Sequence, residues 1–159
     1  MLRTGYPGHS ALYLTLVAGL LLMLSACAEN EAGPSAEVYM TEGCQCCRVW
    51  ADYLEDEGFS VEQHYVEQAR LNEIKRDAGL DFGLSSCHSA KIEGYLVEGH
   101  VPAREIRYLL EERPDVSGIA VPGMPIGSPG MERGDQQDRY AVVSFDADGN
   151  TDIIATYPE

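Results

Sequence analysis

Apolar and polar residues alternate over 36–40, which predicts a short strand. Trp50, Tyr53 and Leu54 then recur at i, i+3 and i+4, predicting a helix over 48–57 with Gly58 where a C-terminal cap belongs. A second strand is expected over 59–66. A second helix follows over 67–78, with Leu71, Ile74 and Ala78 as its apolar stripe and Gly79 as its stop. After a loop over 80–86, strands at 89–92 and 95–99 pair as a hairpin around Glu93-Gly94. Pro102 fits the first turn of a third helix reaching Glu112, with Ile106, Leu109 and Leu110 inward and Pro114 behind it. Residues 116–134 carry so much Gly and Pro that neither a helix nor a central strand is expected there. So long an irregular stretch in a compact domain is usually functional or disordered. Residues 140–145 and 151–157 close the chain as a hairpin around Asp146-Ala147-Asp148-Gly149.

The N-terminus follows a different pattern. Arg3 precedes an apolar run over 11–24, too short for a membrane span, which ends in Leu24-Ser25-Ala26-Cys27. That ending resembles the lipobox of bacterial lipoproteins, in which the cysteine receives the lipid after cleavage. The resemblance implies a signal peptide over 1–26, lipidation of Cys27 and a periplasm-facing, membrane-anchored product. Residues 27–35 are polar with Gly33-Pro34 and read as a flexible tether, leaving one domain over 36–159.

Charge and cysteine count narrow the function. A net charge of −15 opposes binding to nucleic acid or an anionic membrane surface. Five cysteines is an odd number for an oxidising compartment. With Cys27 lipidated, the remaining four fall in two stretches, Thr41-Glu42-Gly43-Cys44-Gln45-Cys46-Cys47 and Ser86-Cys87-His88. Clustered thiols outside the cytosol must be oxidised in pairs, catalytic, or protected by metal.

Cys44 and Cys47 have the C-x-x-C spacing of thiol–disulfide exchange enzymes, at a helix start where thiol pKa is lowered. Cys46, inside the motif, offers a competing thiolate and spoils a clean two-sulfur cycle. Soft thiolates select Cu(I), zinc or iron–sulfur centres. Three sulfurs on one turn are too crowded for the spread ligands of a tetrahedral zinc site, whereas thiolates bridging Cu(I) ions fit. Copper is therefore preferred over zinc. The metal ligands expected are Cys44, Cys46, Cys47 and Cys87. His88, Met124 and Met131 are further candidates, as ligands or as groups that support or cover the site. His100 is expected to cap or pack, and His64 to be structural. No Ser/His/Asp or paired-carboxylate arrangement stands out, and no catalytic residue is assigned.

The order strand, helix, strand, helix, hairpin, helix, with a cysteine turn opening the first helix, resembles the thioredoxin fold. This implies an α/β, thioredoxin-like βαβαββα core followed by the Gly/Pro-rich loop and the C-terminal β-hairpin. In that fold the segment before the third strand lies beside the first-helix N-terminus, which brings Cys87 to the other cysteines. Ser86-Cys87 stands where thioredoxins carry a proline. Four motifs together resemble the CopG-type family of exported bacterial metal-binding proteins associated with copper resistance. They are Cys44-Gln45-Cys46-Cys47, Ser86-Cys87-His88-Ser89, Val97-Glu98-Gly99-His100-Val101-Pro102, and the run from Val121-Pro122-Gly123-Met124 to Gly130-Met131. The resemblance implies copper bound by the clustered cysteines and a role in periplasmic copper handling, with copper ions and other copper-handling proteins as partners. Two alternatives stay open: a thiol–disulfide or copper oxidoreductase using Cys44 and Cys47, and a scavenger of zinc or mercury.

Overall fold

The computed structural model describes residues 33–158. The expected signal peptide and Cys27 lie outside the described residues. The elements are β1 (Ser35–Met40), α1 (Gln45–Asp56), β2 (Ser60–Tyr65), α2 (Gln68–Asp77), β3 (Ser89–Ile92), β4 (Tyr95–Glu98), α3 (Ala103–Glu112), β5 (Gly118–Ala120), β6 (Tyr140–Phe145) and β7 (Thr151–Tyr157). One short 3-10 turn, Phe82–Leu84, precedes the Cys87 segment. Ser35, expected in the tether, is the first residue of β1.

The strands form a single mixed sheet in the order β2-β1-β3-β4-β5-β6-β7. β1 runs parallel to β2, and β4 parallel to β5; the other neighbours are antiparallel. Alternation along the strands feeds two apolar clusters. Val38, Val97, Ile119 and Val142 pack with Trp50 and Leu54 of α1 and with Ile106 and Leu109 of α3. Their neighbours Tyr39, Leu96, Ala120 and Val143 pack with Ile74 of α2 and with Leu80 and Phe145. The sheet is thus covered by α1 and α3 on one face and by α2 on the other.

Two expectations are corrected. The first helix starts at Gln45 rather than residue 48, with Cys44 as its extended N-cap and no side-chain cap bond. The chain turns through a hydrogen bond from Cys44 N–H to Thr41 O at 3.1 Å, a backbone closure that leaves no capping residue in the sequence. Cys46 and Cys47 therefore sit in the first helical turn.

The second correction concerns 116–134. Gly118–Ala120 is a central strand, buried throughout and paired on both sides. Glycine permits it here rather than preventing it. A Cβ at Gly118 would lie 1.9 Å from Leu96 O and 2.9 Å from Phe145 Cζ, so only a bare backbone fits between β4 and β6.

Gly118→Ala should therefore destabilise the domain by about 3 kcal/mol in urea unfolding, because the crowded backbone of β4 cannot yield as a side chain would. Gly43→Ala, whose Cβ meets nothing within 4 Å, is the control and should leave the midpoint within about 0.5 kcal/mol.

Candidate metal centre

The four cysteines expected to act together do meet. One Sγ from each of Cys44, Cys46, Cys47 and Cys87 lies within 4.8 Å of all the others. α1 supplies three of them because its first turn projects Cys46 and Cys47 beside the N-cap Cys44. Cys44 and Cys46 are 3.6 Å apart at sulfur. Cys44 and Cys47 are joined as a disulfide with Cα atoms 5.4 Å apart, and Cys46 and Cys87 are free. Cys47 is fully buried, while the other three are half-buried. Burial pushes the Cys87 thiol up, and the neighbouring Cys46 adds to this. A soft cation reverses that balance, since a coordinating thiol is deprotonated.

The Gly/Pro-rich loop wraps this cluster. Met124, half exposed, puts Sδ 2.8 Å from Cys87 Sγ. Ser86 Oγ donates to Gly123 O at 2.6 Å, tying the Met124 turn to the Cys87 segment. Gly130, at φ +82°, lies so close to α1 that a Cβ would sit 3.0 Å from Trp50 N and 3.3 Å from Cys46 O. Met131 contributes backbone bonds that close the loop, donating to Ser128 O at 2.8 Å and accepting from Gly127 N–H at 3.2 Å. Of the two candidate methionines, Met124 brings its sulfur against Cys87.

Behind the sulfurs lies a buried aromatic layer. His88 packs against Trp50 with ring centroids 4.4 Å apart, and against His100 at 4.9 Å. Trp50 Nε1 donates to Val101 O at 2.9 Å. His100 Nδ1 donates to Pro129 O at 2.8 Å, leaving Nε2 without a partner. His88 is wholly buried and neither ring nitrogen makes a hydrogen bond of good geometry, although the Gly99 backbone lies close. A buried imidazole with orphaned nitrogens, next to Cys87, is a donor set that an ion or water would satisfy. Burial holds His88 well below the usual imidazole range, with His100 and Lys75 adding to it, and burial lowers His100 as well. His64 lies on β2, apart from this cluster, stacked on Tyr39.

Sequence reasoning missed what fixes the Cys87 segment. Lys75, on the buried face of α2, forms an ion pair with Glu98 of β4; their side chains are 1% and 0% exposed. Lys75 Nζ also donates to Ser85 Oγ at 3.0 Å and Ser86 O at 2.8 Å. Glu98 accepts from Ser86 N–H at 2.6 Å and from Ser89 Oγ at 2.6 Å. Both ends of the segment carrying Cys87 and His88 are thereby held by one buried pair. Burial pushes the Glu98 carboxyl up, and Lys75 with the two serine donors opposes this. A signal did exist: Lys75 falls one turn after Leu71, within the apolar stripe of α2.

Two measurements follow from these buried groups. Lys75→Met should cost about 3–5 kcal/mol of unfolding free energy by leaving Glu98 buried and unpaired. Adding Glu98→Gln to Lys75→Met should recover part of it, because Gln still accepts from Ser86 and Ser89 without a charge; urea unfolding of the single and double variants reads the difference. For the metal-free protein, depressed folded-state pKa values at His88 and His100 mean that below about pH 6.5 the unfolded chain binds protons that the folded chain does not. Stability should therefore fall as pH falls below about 6.5, by about 1.4 kcal/mol per pH unit for each ring, down to its folded pKa. Denaturation midpoints between pH 7.5 and 5 test the slope, and His100→Phe should reduce it.

Known proteins resemble the chain both in this segment and over most of its length. A family model described as "Protein of unknown function, DUF411" matches residues 84–131, the span from the Cys87 segment to Met131. No curated protein sequence matches the chain significantly. Two solved structures do. "Copper resistance protein copG- Form 2" is 44% identical, with a TM-score of 0.73, covering 79% of this chain and 99% of that one. "Copper resistance protein copG- Form 1" is 43% identical with the same TM-score, covering 79% of this chain and 98% of that one. At that identity over essentially the whole of the solved chain, the protein belongs to the family of CopG copper resistance proteins.

Proposed function

We propose that this protein handles copper by binding it as Cu(I) through Cys44, Cys46, Cys47 and Cys87, in a thiolate-bridged cluster. The observation that carries the reading is the convergence of four sulfurs within 4.8 Å. Sulfurs that close can share ions, and bridging thiolates suit a metal that accepts two or three soft ligands. Met124 Sδ, 2.8 Å from Cys87 Sγ, adds a thioether at the exposed side. His88 supports the site from beneath. Each thiol gives up its proton on binding, so copper uptake is coupled to proton release and weakens as pH falls. The strand–helix–strand start and the Cys87 segment beside the α1 N-terminus favour a thioredoxin-like core. Cleavage after residue 26 and lipidation of Cys27 would tether the domain on the periplasmic side of a membrane.

The Cys44–Cys47 disulfide favours a second reading, a thiol–disulfide or copper oxidoreductase. Two electrons and two protons added to that bond break it and leave two thiols. A dithiol reductant supplies both, closing its own disulfide; in the reverse direction the two thiols pass two electrons to two Cu(II) ions, which become Cu(I) as the disulfide forms and two protons leave. In the oxidised form two sulfurs remain free to bind, and in the reduced form four.

Cys46→Ser separates these readings. Cluster binding predicts at least one copper fewer per chain, by elemental analysis of protein isolated from periplasm, whereas simple C-x-x-C chemistry predicts near-normal disulfide exchange. Isolated wild-type protein with copper near zero and no free thiols among the four cysteines would overturn the binding reading.

A further inference from the structure

A second group of metal-ligating side chains lies on the edge pair β1–β2, on the face covered by α2. Glu37, Glu62 and His64 each bring one ligand atom within 4.8 Å of the other two. Parallel pairing explains the meeting. Glu37 stands opposite Glu62 and Tyr39 opposite His64, so all four side chains share one face. Tyr39 braces two of the three donors. Its ring stacks on His64 with centroids 4.8 Å apart, and its hydroxyl donates to Glu37 Oε2 at 2.9 Å. His64 Nε2 is buried without a hydrogen-bond partner, 3.6 Å from Glu62 Oε1.

A buried ring nitrogen left without a partner is destabilising, and this one faces a carboxylate just beyond hydrogen-bonding reach. An ion between them satisfies both. One imidazole and two carboxylates suit a borderline divalent ion and not Cu(I), which prefers sulfur. Two carboxylates also balance a divalent charge. The cations facing the group are Lys91, with Nζ 5.6 Å from the Tyr39 ring centroid, and Arg70, whose charge acts on Tyr39. Their repulsion moderates the affinity without occupying the donors. Access exists from the sheet edge, because the Glu62 side chain is 72% exposed.

We propose that Glu37, Glu62 and His64 form a second metal site, for a divalent ion of the Cu(II) or Zn(II) class, with Tyr39 as its positioning residue. The site shares no residue with the sulfur cluster and does not depend on the reading given to it.

Cu(II) titrated into the protein and followed by electron paramagnetic resonance tests this. The expected result is one Cu(II) per chain with oxygen and a single nitrogen in its coordination sphere, retained in Cys46→Ser. His64→Ala should abolish the signal. Glu62→Gln and Tyr39→Phe should each weaken binding by about tenfold or more. Glu62 is 72% exposed, so Glu62→Gln stays informative even where loss of the His64 stack perturbs folding. Absence of such a signal both in the wild-type protein and in a Cys46→Ser/Cys87→Ser variant, whose thiols can no longer reduce the ion, overturns the proposal, as does a signal unchanged in both His64→Ala and Glu62→Gln. A signal lost in Cys46→Ser yet kept in His64→Ala overturns it too, assigning the ion to the sulfurs and leaving that reading intact.

Discussion

The sulfur cluster depends on an ion pair that contains no sulfur. Lys75 and Glu98 are both shut away from water, a costly arrangement unless every remaining donor and acceptor is used. Here the remaining capacity is used on Ser85, Ser86 and Ser89, which flank Cys87 and His88 on both sides. A non-helical segment carrying a reactive thiol would otherwise have many conformations open to it. The pair converts it into a fixed wall facing α1. Apolar packing alone would have stabilised the same contact of α2 with β4, but it could not have addressed individual backbone groups of the loop.

The opposite wall is built on a different principle. The loop from Gly123 to Gly130 has no regular structure, and it is held at isolated points: Gly123 O by Ser86, Pro129 O by His100, and Gly130 by close backbone approach to α1. Glycine and proline suit this task, since one allows the backbone to touch a helix and the other holds its shape without needing a donor. Met124 projects from the part with the greatest exposure. The sulfurs thus lie between a wall fixed by a buried ion pair on the Cys87 side and a point-anchored loop on the Met124 side.

Much of this was legible in the sequence because it rests on local patterns. Among the described residues, periodicity located the three α-helices and both hairpins, and the two cysteine stretches singled out in the sequence meet in space. Three things escaped. The start of α1 was missed because a backbone hydrogen bond from Cys44 to Thr41, not a capping side chain, closes the turn. β5 was missed because three residues carry no periodicity, and because Gly118 is required by neighbours distant in sequence. The Lys75–Glu98 pair was missed because a lysine beside an apolar stripe normally extends its charge to solvent. In each case the deciding partner lies far along the chain or in the backbone; only Lys75 left a trace in the side-chain pattern, and that pattern could not name Glu98 as its partner.

The Cys44–Cys47 bond gives the two proposed functions a common physical basis. Closing it removes two of four soft donors, and opening it restores them, so any copper held by all four sulfurs is coupled to the redox state of that pair. By linkage the coupling runs both ways: copper bound to the thiolates stabilises the reduced form, and oxidation of the pair expels it. Cys46 and Cys87 remain thiols in both states and keep a partial site throughout. On the proposed reading, the third cysteine that disqualifies a simple two-sulfur redox motif is thus what would let metal retention and disulfide chemistry share one helical turn.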